Sequence, residues 1–214
     1  MALGDWLLSY GYSDRELPRI AGTYTGKSLI VCGDGIGVWH DLELFGARHD
    51  HERGKVRKCG WDIMTINKLV EVMPANIEHI YSNQPRLLEK FVAARRCEYT
   101  REFETPRNSH SCMAGARHHW PFGGHGTSGL GATMVGVGLG YDQIVLCGVP
   151  LDDGPHNGEP PWRKTAFASA EAAGPKTENG TGEDGHWKRA RLLAFEGKVK
   201  SMSGRTRDWL GAPE

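Results

Sequence analysis

The sequence predicts an α/β fold built on a doubly wound, mostly parallel sheet, and three observations predict it. Ser28–Cys32 ("SLIVC") and Gln143–Val149 ("QIVLCGV") are short apolar runs with the unbroken hydrophobicity of strands buried on both faces. Gly33 to Gly37 ("GDGIG") follows the first run directly, where a parallel strand hands over to its crossover. A Gly-rich helical stretch, Leu130–Leu139, leads into the second run, so strands alternate with helices.

At 214 residues the chain is long enough to bury a proper core, and a single domain spanning residues 1–214 is expected. Residues 1–26 form a lead-in, with Trp6, Leu7 and Leu8 packing on the outside of the domain. Ser28–Cys32 is the first strand. The polar, Gly-bounded segment 46–60 ("GARHDHERGKVRKCG") reads as a loop, Asp62–Ile66 as the second strand and Ile77–Tyr81 as a third. A helix over Pro85–Arg96 puts Leu87, Leu88, Phe91 and Val92 on one face. Residues 97–125 read as irregular and His-rich.

Gly131, Gly136, Gly138 and Gly140 weaken the following helix by propensity, and their expected gain is close packing against the sheet. Residues 153–185 read as a long, lid-like loop. The end, 186–214, reads as one helix and a basic tail.

Lys+Arg and Asp+Glu both total 26, so no global basic character points to nucleic acid. The basic runs Glu52–Lys58, His186–Arg191 and Lys198–Arg207 read first as solvated faces; together they are also able to attract an anionic substrate. The five cysteines, at 32, 59, 97, 112 and 147, show no CxxC spacing, which favours a reducing compartment over a disulfide framework. Cys32 and Cys147 fall in apolar runs and are expected to pack as small hydrophobes. No signal peptide or membrane-length apolar run is present, so the expectation is a cytoplasmic protein without a membrane partner.

Two candidate phosphate loops share nineteen residues, and they fail or hold on context. Gly22–Ser28 ("GTYTGKS") has three residues, not four, before Gly-Lys-Ser, and it runs into a strand rather than a helix. It reads as a polar turn with Lys27 at the strand entrance. Gly33, Gly35 and Gly37 sit where a ligand loop belongs, although the third Gly falls one residue early for a nicotinamide fingerprint. Further on, Gly126-Thr127-Ser128-Gly129 opens the Gly-rich helix. Small hydroxyl residues there make either an anion site, through free N–H groups and the helix dipole, or a plain N-cap.

In order along the chain, "GDGI", "DIMTIN", "IYSNQP", "GTSGLGATMVGVGLGYDQIVLCGVPLD" and Gly185-His186 resemble the bacterial sialyltransferase family and its pterin-pyrophosphokinase-like and phage-encoded relatives. The matched family features are a Gly-Asn-Gly-Pro turn, strand-end asparagines, a Thr-Ser-Gly helix before an apolar strand, and a Gly-His opening a C-terminal helix. The likeness spans most of 27–195, its specific part being Gly126–Asp152, and "VKSMSGRTRDWLGAP" resembles the ends of short phage proteins. A phage origin would make the location host cytoplasm.

The resemblance implies a Rossmann-like sheet with a nucleotide site at the strands' carboxyl ends. Gly33, Asp34, Gly35, Asn67 and Asn83 would surround the nucleotide, and Thr127, Ser128 and Gly129 its phosphate. It implies a CMP- or UDP-type nucleotide-sugar as co-substrate, and an acceptor hydroxyl on a DNA base or a glycan. Asp34 departs from the family's Asn: a carboxylate accepts from a ribose hydroxyl but repels phosphate. Pro150 is a second departure and shifts the acidic residue after the strand.

His186 is the expected general base, because an imidazole titrates near neutrality and can take an acceptor proton. His110, His118, His119 and His125, with Cys112, invite a zinc reading, but their spacing matches no familiar ligand set; surface contact or phosphate and acceptor binding is expected instead. Asp152-Asp153 is left without a metal. The leading expectation is therefore a metal-independent glycosyltransferase-like enzyme. Diphosphate transfer to a pterin-like alcohol, which would require ATP and Mg²⁺, and a non-catalytic nucleotide-binding module stand beside it.

Overall fold

The computed structural model describes Tyr12 and residues 14–50, 55–57, 60–99, 106–121, 127–151 and 183–214. Trp6, Leu7, Leu8, His125, Gly126, the pair Asp152-Asp153 and 153–182 of the long loop lie outside the described residues.

In chain order the elements are β1 (Ser28–Cys32), α1 (Val38–Leu44), β2 (Arg48–Asp50), β3 (Lys55–Arg57), β4 (Trp61–Ile66), α2 (Leu69–Val72) and β5 (His79–Tyr81). A 3₁₀ turn at Pro85–Leu87 leads into α3 (Leu88–Tyr99), followed by β6 (Asn108–Ser111) and β7 (His118–His119). Next come α4 (Ser128–Leu139), β8 (Gln143–Cys147), α5 (Glu183–Ala190) with a π-helical extension at Arg191–Phe195, β9 (Val199–Ser201) and α6 (Gly204–Leu210). Seven strands form one sheet in the order β7-β6-β5-β4-β1-β8-β9, and every pairing in it is parallel. The doubly wound α/β expectation is met.

The apolar strands explain the two-sided core. Side chains alternate across a strand, so Leu29 and Val31 join one core cluster while Ile30 and Cys32 join the other. The first cluster is closed by α4 and by Trp187, Ala194 and Phe195, the second by Val38, Leu42, Leu69, Val70 and Leu88. Helix α4 lies close because glycines leave room at its points of nearest approach. A methyl group at Gly131 would collide with the Tyr81 hydroxyl, and one at Gly136 would stand 2.9 Å from Leu29 Cδ2. Gly140, at φ 93°, then caps the helix in the left-handed conformation.

Three stretches differ from expectation, and each is polar in sequence. The 46–60 segment holds the antiparallel ribbon β2–β3, which stands outside the main sheet and so carries no apolar alternation. Residues 97–125 hold the end of α3 and the strands β6 and β7, whose Asn, Ser and His side chains hide the strand pattern. The C-terminal region is not one helix and a tail: "VKS" is a strand with Val199 and Ser201 buried, and α6 follows it.

Those polar strands are knitted by a directed chain of hydrogen bonds. Trp120 Nε1–H donates to His110 Nδ1 at 3.0 Å; an indole nitrogen only donates, so in a neutral ring the His110 proton sits on Nε2. That proton is given to His79 Nδ1 at 2.9 Å, which leaves His79 Nε2–H to face the Tyr141 hydroxyl at 2.8 Å. Tyr141 then donates to Asp62 Oδ2 at 2.8 Å. Burial holds both imidazoles neutral, lowering His79 to about 3 and His110 well below the ordinary value, with nearby histidines and Lys27 acting in the same direction. His110 was expected in surface contact or in phosphate and acceptor binding; it is fully buried, because the chain supplies a partner for each ring nitrogen.

Candidate functional site at the carboxyl edge of the sheet

β1 and β8 are neighbours whose continuations leave toward opposite faces. α1 joins the second core cluster, whereas α5 and its extension join the first. The crevice at such a switch point, outside the carboxyl ends of the strands, is where open α/β sheets bind ligands.

The two loops at this crevice touch. Gly33 N donates to Cys147 O at 2.8 Å and Gly35 N to Gly148 O at 3.0 Å. A methyl at Gly35 would stand 2.8 Å from the Gly148 carbonyl, so the glycine turn exists first to admit this backbone approach. Asp41, missed in the sequence because it reads as one more helical acid, secures the floor. It is 3% exposed, and its Oδ2 accepts from Gly148 N at 2.8 Å and from Ser203 Oγ at 2.6 Å. Thr206 Oγ1 donates to Val149 O at 2.7 Å, so the C-terminal α6 helps to hold the β8 loop.

Val149 joins the glycine turn to α4. A methyl built at Gly33 would lie 2.7 Å from its Cγ2, and one at Gly129 would lie 2.7 Å from its Cγ1. Gly33–Gly35 and Thr127–Gly129 therefore flank one residue. Thr127 is the N-cap of α4, with Oγ1 accepting from Leu130 N at 3.2 Å, whereas Ser128 starts the helix half-buried.

Asp34 is balanced by a cation the sequence reading did not weigh: Lys68 Nζ lies 3.6 Å from its carboxylate. Lys68 directly follows Asn67, which sits in the left-handed region at φ 52°, a conformation asparagine tolerates better than most residues. Asn67 Oδ1 accepts from Ser82 Oγ at 2.8 Å, and Ser82 Oγ itself accepts from Gln84 N at 2.9 Å. Asn83 Oδ1 accepts twice, from Tyr81 Oη at 2.6 Å and from Cys112 Sγ at 3.4 Å.

His186 is half-buried on α5, and Trp187 beside it reaches the start of α4, its Cζ2 standing 3.6 Å from where a Gly129 methyl would be. Trp187 Nε1 is buried without a hydrogen-bond partner among the described residues. The structure thus gathers the glycine turn, both asparagines and the α4 start along one edge, with the His186 helix against the same α4 start. His118 and His119 serve elsewhere: His118 Nε2 pairs with Asn108 Oδ1 at 3.2 Å and His119 Nε2 with Cys112 O at 3.0 Å. Among the described residues no group of three or more His, Cys, Asp or Glu is placed to hold a metal ion.

This architecture is the bacterial sialyltransferase fold. The sialyltransferase CstII from Campylobacter jejuni in complex with a substrate analogue, CMP-3FNeuAc, matches with a TM-score of 0.54 at 12% identity, over 88% of this chain and 87% of that one. The monofunctional α-2,3-sialyltransferase Cst-I from the same organism matches with a TM-score of 0.52 at 13% identity, over 87% and 80%. CstII with cytidine-5′-monophosphate gives 0.54 at 13%, over 89% and 86%. No protein-family model and no curated protein matches the chain. No described helix is long and apolar enough to cross a membrane.

Proposed function

We propose that the chain is a glycosyltransferase that takes a nucleotide-activated sugar, of CMP or UDP type, in the crevice between β1 and β8. The observation that carries this is the meeting of the glycine turn and the α4 start on either side of Val149, at the switch point of the sheet. The turn, Asp34 and the carboxamides of Asn67 and Asn83 take the nucleoside, and Ser128 and Gly129 at the α4 start take the phosphate. Lys68 offsets the charge of Asp34, so a carboxylate at this position is compatible with an anionic donor. The solved sialyltransferases of this fold, in complex with CMP or a CMP-sugar analogue, support the donor class.

In the transfer, the acceptor oxygen forms a bond to the anomeric carbon of the sugar. The bond from that carbon to the phosphate oxygen breaks, and the nucleotide leaves with the electron pair. The acceptor proton passes to His186, which α5 carries against the helix that holds the phosphate. No metal is assigned a role, and the acceptor is a hydroxyl on a glycan or a modified DNA base.

Thermal-shift and calorimetric binding with CMP, UDP, GDP and ATP, each with and without Mg²⁺, tests this proposal. A metal-independent shift with CMP or UDP is expected. A response confined to ATP with Mg²⁺ would assign diphosphate transfer instead, and no response to any nucleotide would remove the enzyme assignment.

A further inference from the structure

The two carboxamides at the carboxyl edge are not free to turn. Ser82 Oγ already accepts from the Gln84 N–H, so what it has left to give is its own proton, and Asn67 Oδ1 receives it. Tyr81 is 1% exposed and its hydroxyl lies under Gly131 of α4. Burial and the Cys112 thiol raise its pKa well above the ordinary range, so it remains a protonated donor. The Cys112 thiol is a second, weaker donor. Two donors converging on one atom require an acceptor, and that atom is Asn83 Oδ1. The other limb of each carboxamide, Nδ2–H₂, has no partner among the described residues, and both asparagines are half-buried.

We propose that Cys112, with Tyr81, is a positioning residue that fixes the polarity of Asn83, oxygen inward and N–H₂ outward, as Ser82 fixes that of Asn67. The edge then presents two amide donor groups, and the part of the ligand they meet is acceptor-only: phosphate oxygens, or the carbonyl and unprotonated ring nitrogen of a pyrimidine. An exocyclic amine or a protonated ring nitrogen is rejected there, because two N–H donors would face each other. Cys112 acts through Asn83 and touches no ligand.

The inference rests on the nucleotide reading above, so its test has one arm that needs no nucleotide. In ¹H–¹⁵N spectra of the apo protein, the Asn83 side-chain amide is assigned by its loss in Asn83→Asp. It should stand away from the free-asparagine position in the wild type and in Cys112→Ser, and should move toward that position in Cys112→Val. In the second arm, CMP affinity is measured by calorimetry on the same proteins. Cys112→Val, which keeps the site filled with an apolar side chain but loses the donor, should bind about three- to tenfold more weakly, as one hydrogen bond implies. Cys112→Ser should restore affinity to within about twofold, since a hydroxyl replaces the thiol donor. Asn83→Asp, which turns the outward donor into an acceptor, should weaken binding more than either.

An Asn83 amide unmoved by Cys112→Val overturns the positioning role, as does a Cys112→Ser protein as weak as Cys112→Val. Asn83→Asp binding CMP as well as the wild type overturns the assigned polarity. A wild type that binds no nucleotide defeats the nucleotide reading, and the apo spectra then decide the positioning role alone.

Discussion

The sheet carries buried polar side chains in two places, and they finish differently. In the histidine chain, each ring nitrogen of His79 and His110 has a partner, and the series closes on Tyr141 and Asp62. At the carboxyl edge, Asn67 and Asn83 are tied through oxygen alone among the described residues, and the amide nitrogens are left over. A buried group with complete partners is architecture, since removing one partner leaves an orphan that costs about 1–3 kcal/mol. A half-satisfied group beside a backbone crevice is a group with work outstanding. The same residue types, histidine and asparagine, therefore separate into fold and site by what remains unpaired.

The largest effect that sharpens this contrast belongs to His186, which neighbours Trp187 on α5, the helix whose Trp187 ring reaches the α4 start. His186→Ala should lower turnover by roughly 10²–10⁴-fold with donor affinity little changed, because a general base touches the acceptor and not the nucleotide. The wild-type rate should fall at acidic pH as an imidazole protonates, and the variant should lack that limb. Steady-state rates and calorimetric affinities on both proteins measure it. A nucleotide-bound structure with His186 remote from the phosphate and pointing to solvent would remove it from the chemistry.

The histidine chain should instead register in stability. Its folded-state pKa values lie below the ordinary 6.5, so the unfolded chain binds more protons as the pH falls through 6.5 toward about 3. Stability is complete above that window and drains as the pH drops into it. At about pH 5 the His79 imidazole should have cost about 2 kcal/mol relative to pH 7.5, and His110 acts in the same direction. Urea midpoints at the two pH values read this directly. The variant His110→Phe should flatten the slope while leaving CMP affinity unchanged; an unchanged slope would mean that the two rings titrate normally.

Thr127 and Ser128 bring the comparison down to adjacent residues. Thr127 already has its work, as the cap on Leu130 N, so Thr127→Ala should cost about 1 kcal/mol of stability. Ser128 caps nothing, so Ser128→Ala should cost about 1.5–3 kcal/mol of nucleotide affinity, as a hydrogen bond to a charged phosphate is worth. Melting curves and binding isotherms on the pair should show opposite losses. Equal losses in both would return the motif to capping.

How much of this was legible in the sequence follows the same division. Ser28–Cys32 was read to the residue, because a parallel strand buried on both faces is apolar throughout. Gly131, Gly136 and Gly138 were read for their purpose as well as their place, whereas Gly140 proved to be the left-handed cap of the helix. β6, β7 and β9 were missed, since "NSHS", "HH" and "VKS" carry polar side chains whose partners come from distant elements. The motif-borne residues Gly33, Asp34, Gly35, Asn67, Asn83 and Ser128 were visible because they end strands or open a helix. Asp41 and Lys68 were not, and Cys112 was weighed only beside a zinc reading, because what marks them is what they touch: Gly148 and Ser203, Asp34, and Asn83. Spacing along a chain carries no signal for such contacts.

The smallest expected effect concerns the residue that most resembles a nucleotide ligand. Lys27 completes an apparent Gly-Lys-Ser loop, yet it stands one residue before β1, at the amino end of a strand whose carboxyl end carries the crevice. Its ammonium lies 3.6 Å from Asp62 and 4.8 Å from the centre of the Tyr24 ring, while its backbone N–H donates to Tyr24 O at 3.2 Å. β1 is five residues long, and strands rise about 3.3 Å per residue, so some 16 Å separate the two ends. A lysine side chain cannot cross that distance through the sheet. Lys27→Ala should therefore leave CMP affinity within about twofold of the wild type, and the lost half-exposed ion pair should cost at most about 1 kcal/mol of stability. A large fall in affinity with an unchanged melting temperature would place a phosphate at the amino edge, and the two ends of the sheet would have to exchange the roles given to them.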